Sequence, residues 1–516
     1  MRPRQQFSTA SVPNAILAVP TSEKLRMPSL AWRISLFAAL AAPLAHSQAP
    51  AQLPPLDAQQ TKSIDTFIAD EMGRQKIPGL ALGIYSRGTV LLAKGYGKSN
   101  LELDVPVKPE TIFQSGSVGK QFVSAAVMML VEEGKLSLDD SITKYFPEAP
   151  ATWKPILIRN LLSHTSGLSE YESDERTGPK GPFYLRLDFT EDELVSKIEA
   201  MPIEWPAGSK WDYRNTNYVL LGVIIHKVTG KFYADFLNER IFKPLGMSST
   251  RLISEADIIP NRAAGYELHD GQWKNQAWVS PTFDSTADGA LYFNVLDLSK
   301  WDGALYTTEL LRQSSLDRTW TVYPLNDGKP NPAGYGFAWS IGDQNHHKRI
   351  EHGGAWQGFT TAISRYPDDK LSVVVLTNLD AGHSNPEFIA HVVAGLVVPS
   401  LAIPKLTAIS DNDPSIAKRV STLLDQIAAG KDIRSQVTSD LAARMTPEAI
   451  SSVTRRIRAT WPGGTLTLVK RVPGSGGQPV STFRLTKETE AALVFYGLDS
   501  QGKIAVLGFS PDREYE

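Results

Sequence analysis

The stretch of the sequence from Phe113 to Lys135 constrains the fold most, because it specifies one long buried helix with a distinctive start. It opens as Phe-Gln-Ser-Gly-Ser-Val-Gly-Lys, and the small residues Ser115 to Ser117 are typical of a helix start. Gly134 ends the run, as a glycine often does just past a helix. Between these ends, apolar residues recur at the spacing of three and four that predicts a buried helical face: Phe122, Ala125, Ala126, Met129 and Leu130.

Ser117 and Lys120 are three residues apart, so their side chains share one face of the first helical turn. A serine hydroxyl is an effective nucleophile only when a base takes its proton, and a lysine can do so if its own pKa is lowered. Burial and the positive end of the helix both act in that direction. The helix start also offers a backbone N–H to a developing oxyanion. The alternative is that Ser117 only caps the helix.

Ser-x-x-Lys is a weak signal by itself, because it also occurs at Ser141, Ser415 and Ser500. The segment after Ser141 reaches Tyr-Phe-Pro, which cannot continue a long helix. Ser415 opens a predicted helix near the C-terminal end, and Ser500 lies in a turn that contains glycine, between apolar strands. Only Ser117 opens a long apolar helix after a turn of small residues.

A second group of polar residues, Tyr213-Arg214-Asn215, lies in a loop just before a predicted helix. A nearby protonated lysine would lower the pKa of Tyr213, which could then move protons to and from a leaving group. Asn215 would hydrogen-bond a substrate amide or carbonyl. The alternative for Tyr213 is an aromatic ring packed under a loop. Tyr292 and Asn294 have the same spacing, but they run directly into a predicted helix and are interpreted as its structural start.

A third group, His352-Gly353-Gly354-Ala355, lies at the start of a predicted strand. The two glycines let a ligand approach the backbone closely, so the N–H of Ala355 can point at a carbonyl oxygen. His352 would orient a carboxylate or polarise the site. The alternative is a histidine at a strand edge without a chemical role.

Ser-x-x-Lys, Tyr-x-Asn and His-Gly-Gly occur in that order, on a helix start, a loop and a strand. This arrangement resembles the serine β-lactamase and penicillin-binding-protein superfamily, in the branch that holds class C β-lactamases, D-alanyl-D-alanine carboxypeptidases, D-aminopeptidases and related esterases. Further stretches are similar to that branch: Gly95-Tyr-Gly97, Leu161-Leu-Ser-His-Thr-Ser-Gly-Leu168, and Gly289-Ala-Leu followed by Asp297-Leu. The resemblance covers about residues 60–398.

The resemblance implies that Ser117 is the acylated nucleophile, Lys120 its proton partner and Tyr213 a second acid/base. It implies that Asn215 contacts the substrate and that the N–H groups of Ser117 and Ala355 form the oxyanion hole. No metal or organic cofactor is implied.

His352 stands where a lysine is usual in the lactamases. This change is common among the esterases and peptidases of the family, and it weakens the case for penicillin turnover. Gly119 replaces a more usual Thr or Ala inside the Ser-x-x-Lys motif. His164 belongs to a family stretch that is interpreted as structural, and no chemistry is assigned to it.

The element pattern predicts a β-lactamase-like α/β (α+β) fold, in which an antiparallel sheet is flanked by helices beside a helical region. Residues 55–400 form this predicted hydrolase domain. Residues 401–414 are read as a linker with proline and polar residues, and residues 415–516 as a small C-terminal α+β domain. The latter resembles the nuclear-transport-factor-two-like domains appended to some such hydrolases. Two polar or loop-rich segments, 169–188 and 260–290, are predicted to carry substrate contacts.

The N-terminal region, residues 1–49, is predicted to be a leader with a secretory signal, and Met27 is a candidate true start. Arg33, an apolar run from Ile34 to Ala45 and the small-residue stretch Ala45-His46-Ser47 form the pattern. The run is too short for a transmembrane helix, so no stable membrane span is expected. The protein is therefore expected to be exported, to the periplasm of a bacterium or beyond.

Composition excludes several kinds of partner and of catalytic chemistry. The net charge is −2 and no block of basic residues occurs, so a nucleic-acid partner is not expected. The chain has no cysteine, which excludes disulfides, thiol catalysis and thiolate metal sites. The predicted function is an acyl-enzyme serine hydrolase for a D-amino-acid peptide, a β-lactam or a small ester. The alternative is a non-catalytic binding, sensor or scaffold protein with the same fold. The sequence does not specify the oligomeric state.

Overall fold

The structure is a computed structural model of the chain, and it describes residues 52–512 apart from 444, 446, 475–477 and 488–489. The described chain divides into two compact units, and the division falls between Ile403 and Pro404. The leader predicted at residues 1–49 lies outside the described residues. Within the described ranges, every helix is too short or too polar to cross a bilayer.

The first unit is built on a seven-stranded antiparallel sheet in the order β3-β2-β1-β12-β11-β10-β9. The two chain ends of this unit therefore share one sheet. The strands β1, β11 and β12 are buried along their whole length, which explains the mostly apolar sequences of β1 and β12. The strands of the unit are β1 (Gly79–Ser86), β2 (Thr89–Asn100), β3 (Val105–Pro106), β4 (Phe113–Gln114), β5 (Arg251–Leu252), β6 (Tyr266–His269), β7 (Gln272–Asn275), β8 (Leu291–Phe293), β9 (Ser340–Gln344), β10 (His347–Trp356), β11 (Phe359–Tyr366) and β12 (Leu371–Thr377).

The α-helices of this unit cover the sheet and form a helical region beside it. They are α1 (Ala58–Gln75), α2 (Lys120–Glu132), α3 (Ile158–Leu162), α4 (Asp174–Thr177), α5 (Glu191–Glu199), α6 (Asn215–Thr229), α7 (Tyr233–Leu237), α8 (Val295–Ala304), α9 (Gln313–Thr319) and α10 (Pro386–Val397). The helical region consists of α2 packed on α6 and α7, with α3 against α6.

Helices α8 and α10 lie on opposite faces of the sheet, as two adjacent residues of β11 show. Arg365 forms a buried ion pair of 2.8 Å with Asp302 of α8. Its neighbour Ser364 donates to Glu351, which in turn pairs with His391 of α10. Because successive side chains of a strand point to opposite faces, the two helices sandwich the sheet. This is the predicted arrangement of an antiparallel sheet flanked by helices.

Helix α2 is the centre of the helical region, because every residue from Lys120 to Leu130 is buried. Its apolar side chains therefore pack on every side of the helix. Its buried polar side chains need hydrogen-bond partners inside the protein, because water cannot reach them. Gln121 accepts from the indole N–H of Trp301 at 3.0 Å, and Ser124 donates to the carbonyl of Phe337 at 3.2 Å. The predicted buried helix is confirmed, and it carries its first residue, Lys120, into the interior.

Three predicted elements differ from the structure. The strand that carries His352 begins at His347, so His352 lies in the second half of β10 rather than at its start. The stretch from Tyr335 to Ile341 alternates in the sequence like an antiparallel strand, but the strand begins only at Ser340. The loop-rich segment 260–290 contains the hairpin of β6 and β7. In contrast, Asn294 caps α8 by accepting from the N–H of Asp297, as its interpretation as a structural helix start requires.

The second unit is a four-stranded antiparallel meander, β13-β14-β15-β16, with helices before it. Its buried core is its own, and it includes Leu424 of the first helix and Phe483 and Val494 of the sheet. The helices are α11 (Pro414–Ala428), α12 (Ser439–Ala443) and α13 (Pro447–Thr460), and the strands are β13 (Thr465–Pro473), β14 (Pro479–Lys487), β15 (Glu490–Leu498) and β16 (Ile504–Pro511). The predicted small α+β domain is confirmed in its fold class.

Candidate active site

Ser117 lies in a tight turn between β4 and α2. Residues Gly116–Gly119 form a 3-10 helix that leads directly into α2. Gly116 has a φ of +49°, in the left-handed region that favours glycine, and a Cβ there would also collide with the backbone of Ala355. Ser117 is partly exposed while Gly116 and Val118 are buried. The serine is therefore the residue of this turn that a ligand can reach.

Lys120 is fully buried in the first turn of α2, and its side-chain nitrogen meets three oxygen atoms. Nζ lies 2.8 Å from Oγ of Ser117 and 2.8 Å from Oδ1 of Asn215. The third partner is the backbone carbonyl of Asp288. The structure thus brings the predicted nucleophile, its proton partner and the predicted asparagine into direct contact.

Among the other Ser-x-x-Lys sequences, Ser141 shows what a helix cap looks like. Its hydroxyl accepts from the backbone N–H of Thr143, and Lys144 bonds to Asp140 instead of to the serine. The cap interpretation therefore describes Ser141. It does not describe Ser117, whose hydroxyl meets an amine.

Tyr213 lies beside Lys120, with its ring centroid 5.1 Å from Nζ. Its hydroxyl is buried and lies within reach of Lys120 and Ser117, although it meets no partner at full hydrogen-bond geometry among the described residues. Burial raises the pKa of Tyr213, and the nearby Lys120 and Ser117 offset this only in part. The sequence led us to expect a lowered pKa. The structure instead holds Tyr213 as a neutral phenol, because the cost of burying a phenolate exceeds the attraction of one cation.

Asn215 is the first residue of α6, and both the oxygen and the nitrogen of its side-chain amide form hydrogen bonds. Its oxygen accepts from Lys120, and its side-chain NH₂ donates to the carboxyl group of Glu172. Its backbone N–H donates to the carboxyl group of Glu170. The predicted substrate contact therefore also fixes the position of the lysine.

His352 faces the same cleft from β10, and both of its ring nitrogens are hydrogen-bonded. Nδ1 lies 2.6 Å from the carbonyl oxygen of Gly353 and must carry the proton, because a carbonyl can only accept. Nε2 then accepts from the hydroxyl of Tyr335 at 2.8 Å. Burial, together with the charge of Lys120, lowers the pKa of His352 to about 4. The ring is therefore neutral near pH 7, and it presents no cation to a substrate.

Gly354 and Ala355 bring β10 against the turn that holds Ser117. A Cβ on Gly354 would lie 2.8 Å from the backbone nitrogen of Ser117. The two backbone segments can therefore approach this closely only because residue 354 is a glycine. The hydroxyl of Thr361 on β11 donates to the carbonyl of Ser115 at 2.6 Å and fastens the sheet to the same turn. The backbone nitrogens of Ser117 and Ala355 thus lie on two segments in van der Waals contact, as an oxyanion hole would require.

Comparison with known proteins places this arrangement in a family. The family model described as Beta-lactamase matches residues 64–396, which is well over half of the chain. The chain belongs to the beta-lactamase family. The predicted superfamily is therefore confirmed, and the matched region lies within the first unit.

Curated relatives of this beta-lactamase family member include two bacterial proteins. Penicillin-binding protein 4* of Bacillus subtilis (strain 168) is 29% identical over 317 residues, covering 56% of this chain and 68% of that protein. Protein flp of Staphylococcus aureus (strain MRSA252) is 28% identical over 347 residues, covering 65% of this chain and 66% of that protein. The chain thus spans about two thirds of the length of each relative.

Solved structures show the same fold. The octameric penicillin-binding protein homologue from Pyrococcus abyssi has a TM-score of 0.60 at 24% identity, covering 88% of this chain and 96% of that chain. The D-amino acid amidase from Ochrobactrum anthropi SV3, solved with L-phenylalanine amide, has a TM-score of 0.56 at 24% identity, covering 67% of this chain and 99% of that chain.

Three carboxyl groups of the candidate site were not predicted from the sequence. They belong to Glu170, Glu172 and Asp288. Glu170 and Glu172 bond to Asn215, and Tyr171 between them donates to Asp288 at 2.8 Å. Burial raises the pKa of Glu172 well above its usual range, and the charges of Asp288 and Glu170 raise it further. Burial likewise raises the pKa of Glu170. The only sequence signals were the place of Glu170 and Glu172 in segment 169–188 and of Asp288 in segment 260–290, both predicted to carry substrate contacts.

Proposed function

We propose that the chain is a serine hydrolase that transfers an acyl group from an amide or ester to Ser117 and then to water. The observation that carries this proposal is the contact of 2.8 Å between the Ser117 hydroxyl and the buried nitrogen of Lys120. In its neutral form the amine has two N–H groups, and the carbonyl oxygens of Asn215 and Asp288 can accept both. Its lone pair then faces the Ser117 hydroxyl, which is the arrangement that base catalysis needs.

In acylation, Lys120 takes the proton of Ser117 while Oγ bonds to the substrate carbonyl carbon. The carbonyl oxygen becomes an oxyanion, and the backbone N–H groups of Ser117 and Ala355 donate to it. The bond to the leaving group then breaks, and the leaving group takes a proton from Tyr213. A neutral phenol suits this acid role, and Lys120 returns a proton to it. Water attacks the acyl-enzyme by the reverse sequence of proton transfers and frees Ser117.

The substrate class follows from the charges around the nucleophile. Of the described side chains that hydrogen-bond to the side chain of Ser117 or Asn215, only Lys120 is basic, and its nitrogen is bonded to three oxygens. His352 is neutral, so a substrate carboxylate finds no free positive partner there. Glu170 and Glu172 are half-buried carboxyls with raised pKa values, and a substrate ammonium group would stabilise their charged forms. We therefore propose esters and amides of amino acids with a free amine, in preference to β-lactams.

Intact-mass measurement tests the reaction type. The protein is incubated with a fluorophosphonate, a penicillin and a panel of simple esters, and the mass of the chain is followed. We expect a fluorophosphonate adduct on Ser117 and a transient acyl adduct with the esters. If no reagent gives an adduct on Ser117, the fold serves binding rather than turnover.

Paired substrates test the substrate class. We expect a D-amino-acid p-nitroanilide with a free α-amine to have a higher kcat/KM than its N-acetylated counterpart. The variant Glu172→Gln should reduce this preference, because it removes one carboxyl near Asn215. Equal kcat/KM for the free and acetylated substrates would contradict the assignment.

Export is part of the same proposal, and it rests on the signal-like pattern at residues 27–47. Its test is the N-terminal sequence of the mature protein recovered from a bacterial periplasm. A mature chain that still begins at Met1 or Met27 would contradict it.

A further inference from the structure

His164 lies directly behind the ring of Tyr213. The two ring centroids are 4.1 Å apart with an interplanar angle of 31°, and His164 is 1% exposed. Its φ of +58° is in the left-handed region, which few residues other than glycine adopt. This conformation follows the end of α3 at Leu162. A strained and fully buried histidine in contact with a candidate acid/base calls for a physical reason.

His164 also holds the backbone on both sides of Tyr213. Its carbonyl accepts from the N–H of Asp212 at 3.0 Å, and its Nδ1 accepts from the N–H of Arg214 at 3.2 Å. Because these residues flank Tyr213 directly, one histidine fixes the tyrosine at its face and at both neighbouring peptides. Three contacts of this kind leave the ring of Tyr213 little freedom to move.

The protonation state of His164 is set by its neighbours. Asn217 accepts from Ser166 through its oxygen at 2.6 Å, so its NH₂ faces Nδ1 of His164 at 3.1 Å as a donor. The single lone pair of Nδ1 is therefore shared between two donors, and the proton is on Nε2, which is buried without a hydrogen-bond partner among the described residues. Burial lowers the pKa of His164 well below its usual range, and the charge of Lys120 lowers it further. The neutral ring can thus accept from Arg214 without placing a positive charge beside Tyr213.

We propose that His164 is a positioning residue for Tyr213: it holds the phenol where it can protonate the leaving group. This rests on the proposed function, because it assigns a partner to the acid of that reaction. Loss of the positioning should then matter most for substrates whose leaving group needs a proton. A misplacement of about 1 Å costs roughly a hundredfold in rate, so an effect of that order is expected.

Two variants separate the contacts of His164. His164→Asn tolerates the left-handed backbone and keeps a short acceptor for the N–H of Arg214, but it removes the ring behind Tyr213. His164→Phe keeps a ring and removes the acceptor. A matched control is His226→Asn, which changes a half-exposed histidine on α6 that pairs with Glu191. The control is expected to leave activity unchanged.

The measurement is kcat and KM for an alkyl ester or amide and for a p-nitrophenyl ester of the same acyl group. In His164→Asn we expect kcat for the poor leaving group to fall about a hundredfold with KM nearly unchanged. The p-nitrophenyl ester should react nearly as in the wild type, because its leaving group needs no proton. Thermal unfolding and fluorophosphonate labelling of Ser117 report whether each variant is folded. If only one of the two histidine variants folds, the comparison is made with that one.

A double-mutant cycle with Tyr213→Phe decides between positioning and general damage. The loss caused by His164→Asn should vanish when Tyr213 is already replaced. Equal losses in both backgrounds, or on both leaving groups, would overturn the proposal. If Tyr213→Phe alone has no effect on either substrate, the proposed role of Tyr213 fails, and that result is distinct from a failure at His164. If neither histidine variant folds, His164 is a stability residue, and the proposal is overturned.

Discussion

Tyr213, His164 and His352 form a buried layer of neutral rings around one amine. The ring centroids of Tyr213 and His352 are 6.1 Å apart, and those of Tyr213 and His164 are 4.1 Å apart. Burial disfavours the charged form of each ring, so Lys120 is the only group of this layer that can carry a positive charge. One amine among neutral rings suits a reaction in which one proton is moved at a time.

The first prediction separates Ser117 from Ser141. Ser117→Ala should abolish fluorophosphonate and ester adducts and leave the fold intact, because the hydroxyl bonds to Lys120 and caps no helix. Ser141→Ala should label normally and lose about 1 kcal/mol of the free energy of unfolding, since it removes a helix cap. Intact mass and urea unfolding measure the two effects. An adduct on the Ser117→Ala chain would remove Ser117 from the role of nucleophile.

The second prediction concerns Glu387, whose carboxyl group lies against Gly353 of β10. Burial, together with the charge of Glu351, raises the pKa of Glu387 to about 7. The folded chain therefore binds this proton between about pH 4.5 and pH 7, where the unfolded chain has released it. The contribution of protonated Glu387 to the free energy of unfolding is complete below pH 4.5, the pKa of the unfolded chain. It is lost as pH rises through about 7, the pKa of the folded chain.

Glu387→Gln removes this titration, so the wild type should lose about 1 to 3 kcal/mol relative to the variant between pH 4.5 and 7.5. Urea unfolding of both chains across this range measures the difference, and all other groups cancel in it. Parallel stability curves for the two chains would show that Glu387 does not titrate in this range.

At this scale, the sequence predicted which residues meet but not their charge states. Ser117 and Lys120 share a helical turn, so their contact follows from spacing alone. The contact of Asn215 with Glu172 joins two segments whose approach depends on the path of a loop. The neutral state of Tyr213 depends on burial, which spacing does not report.

At the scale of elements, the site is assembled where β10 touches the turn before α2. Gly116 and Gly354 are the points of closest approach, and each lacks room for a Cβ. Thr361 of the next strand bonds to Ser115 of the same turn. The sheet therefore fixes both Ser117 and the strand that faces it. A substitution at this contact should change the rate of acylation.

The third prediction compares two glycines. A Cβ at Gly354 would press on Ser117 and Thr361, so Gly354→Ala should cost about 1 to 3 kcal/mol and slow acylation about a hundredfold. Gly73 in α1 has no atom within 4 Å of an added Cβ, so Gly73→Ala should stabilise the chain by about 0.5 to 1 kcal/mol without affecting acylation. Thermal unfolding and the rate of fluorophosphonate labelling measure both. Wild-type labelling by a folded Gly354→Ala chain would show that the contact is dispensable.

Strands with apolar runs were predictable, while the start of β10 was not. Strands β1 and β12 are buried throughout, so their composition alone indicates them. The first half of β10 carries polar and charged residues that pair either with another segment or along the same strand. His347 pairs with Asp369 at 2.9 Å, and Arg349 pairs with Glu351 at 2.9 Å. A sequence pattern shows these as polar residues and hides the pairing that lets them form a strand.

At the scale of the molecule, the chain has two units with separate cores, and we expect the two units to have different roles. The side chains assigned to chemistry all lie in the first unit, which ends at Ile403. The second unit has its own buried core, with Leu423 and Leu424 on a helix and Leu485 on the sheet. We infer that the second unit acts on substrate access, assembly or partner binding.

The fourth prediction is that a chain truncated after Ile403 folds and still acylates at Ser117. Circular dichroism reports the fold, and acylation rates with a small activated ester and a bulky peptide report the chemistry. The small ester should react as in the full chain, since its contacts lie in the first unit. If the truncated chain is folded but does not react with the small ester, the second unit belongs to the active site.

The pairing of β1 with β12 also has a consequence for how the chain reaches its native state. Leu80 is opposite Thr377, so the central pair of the sheet joins segments about 300 residues apart. During synthesis, the hairpin of β1 and β2 exists long before β12 has been made. In that interval the free edge of β1, whose eight residues are buried in the finished sheet, can pair with other chains. We therefore expect refolding to be slow, and we expect the yield of soluble protein to improve at low temperature and low chain concentration.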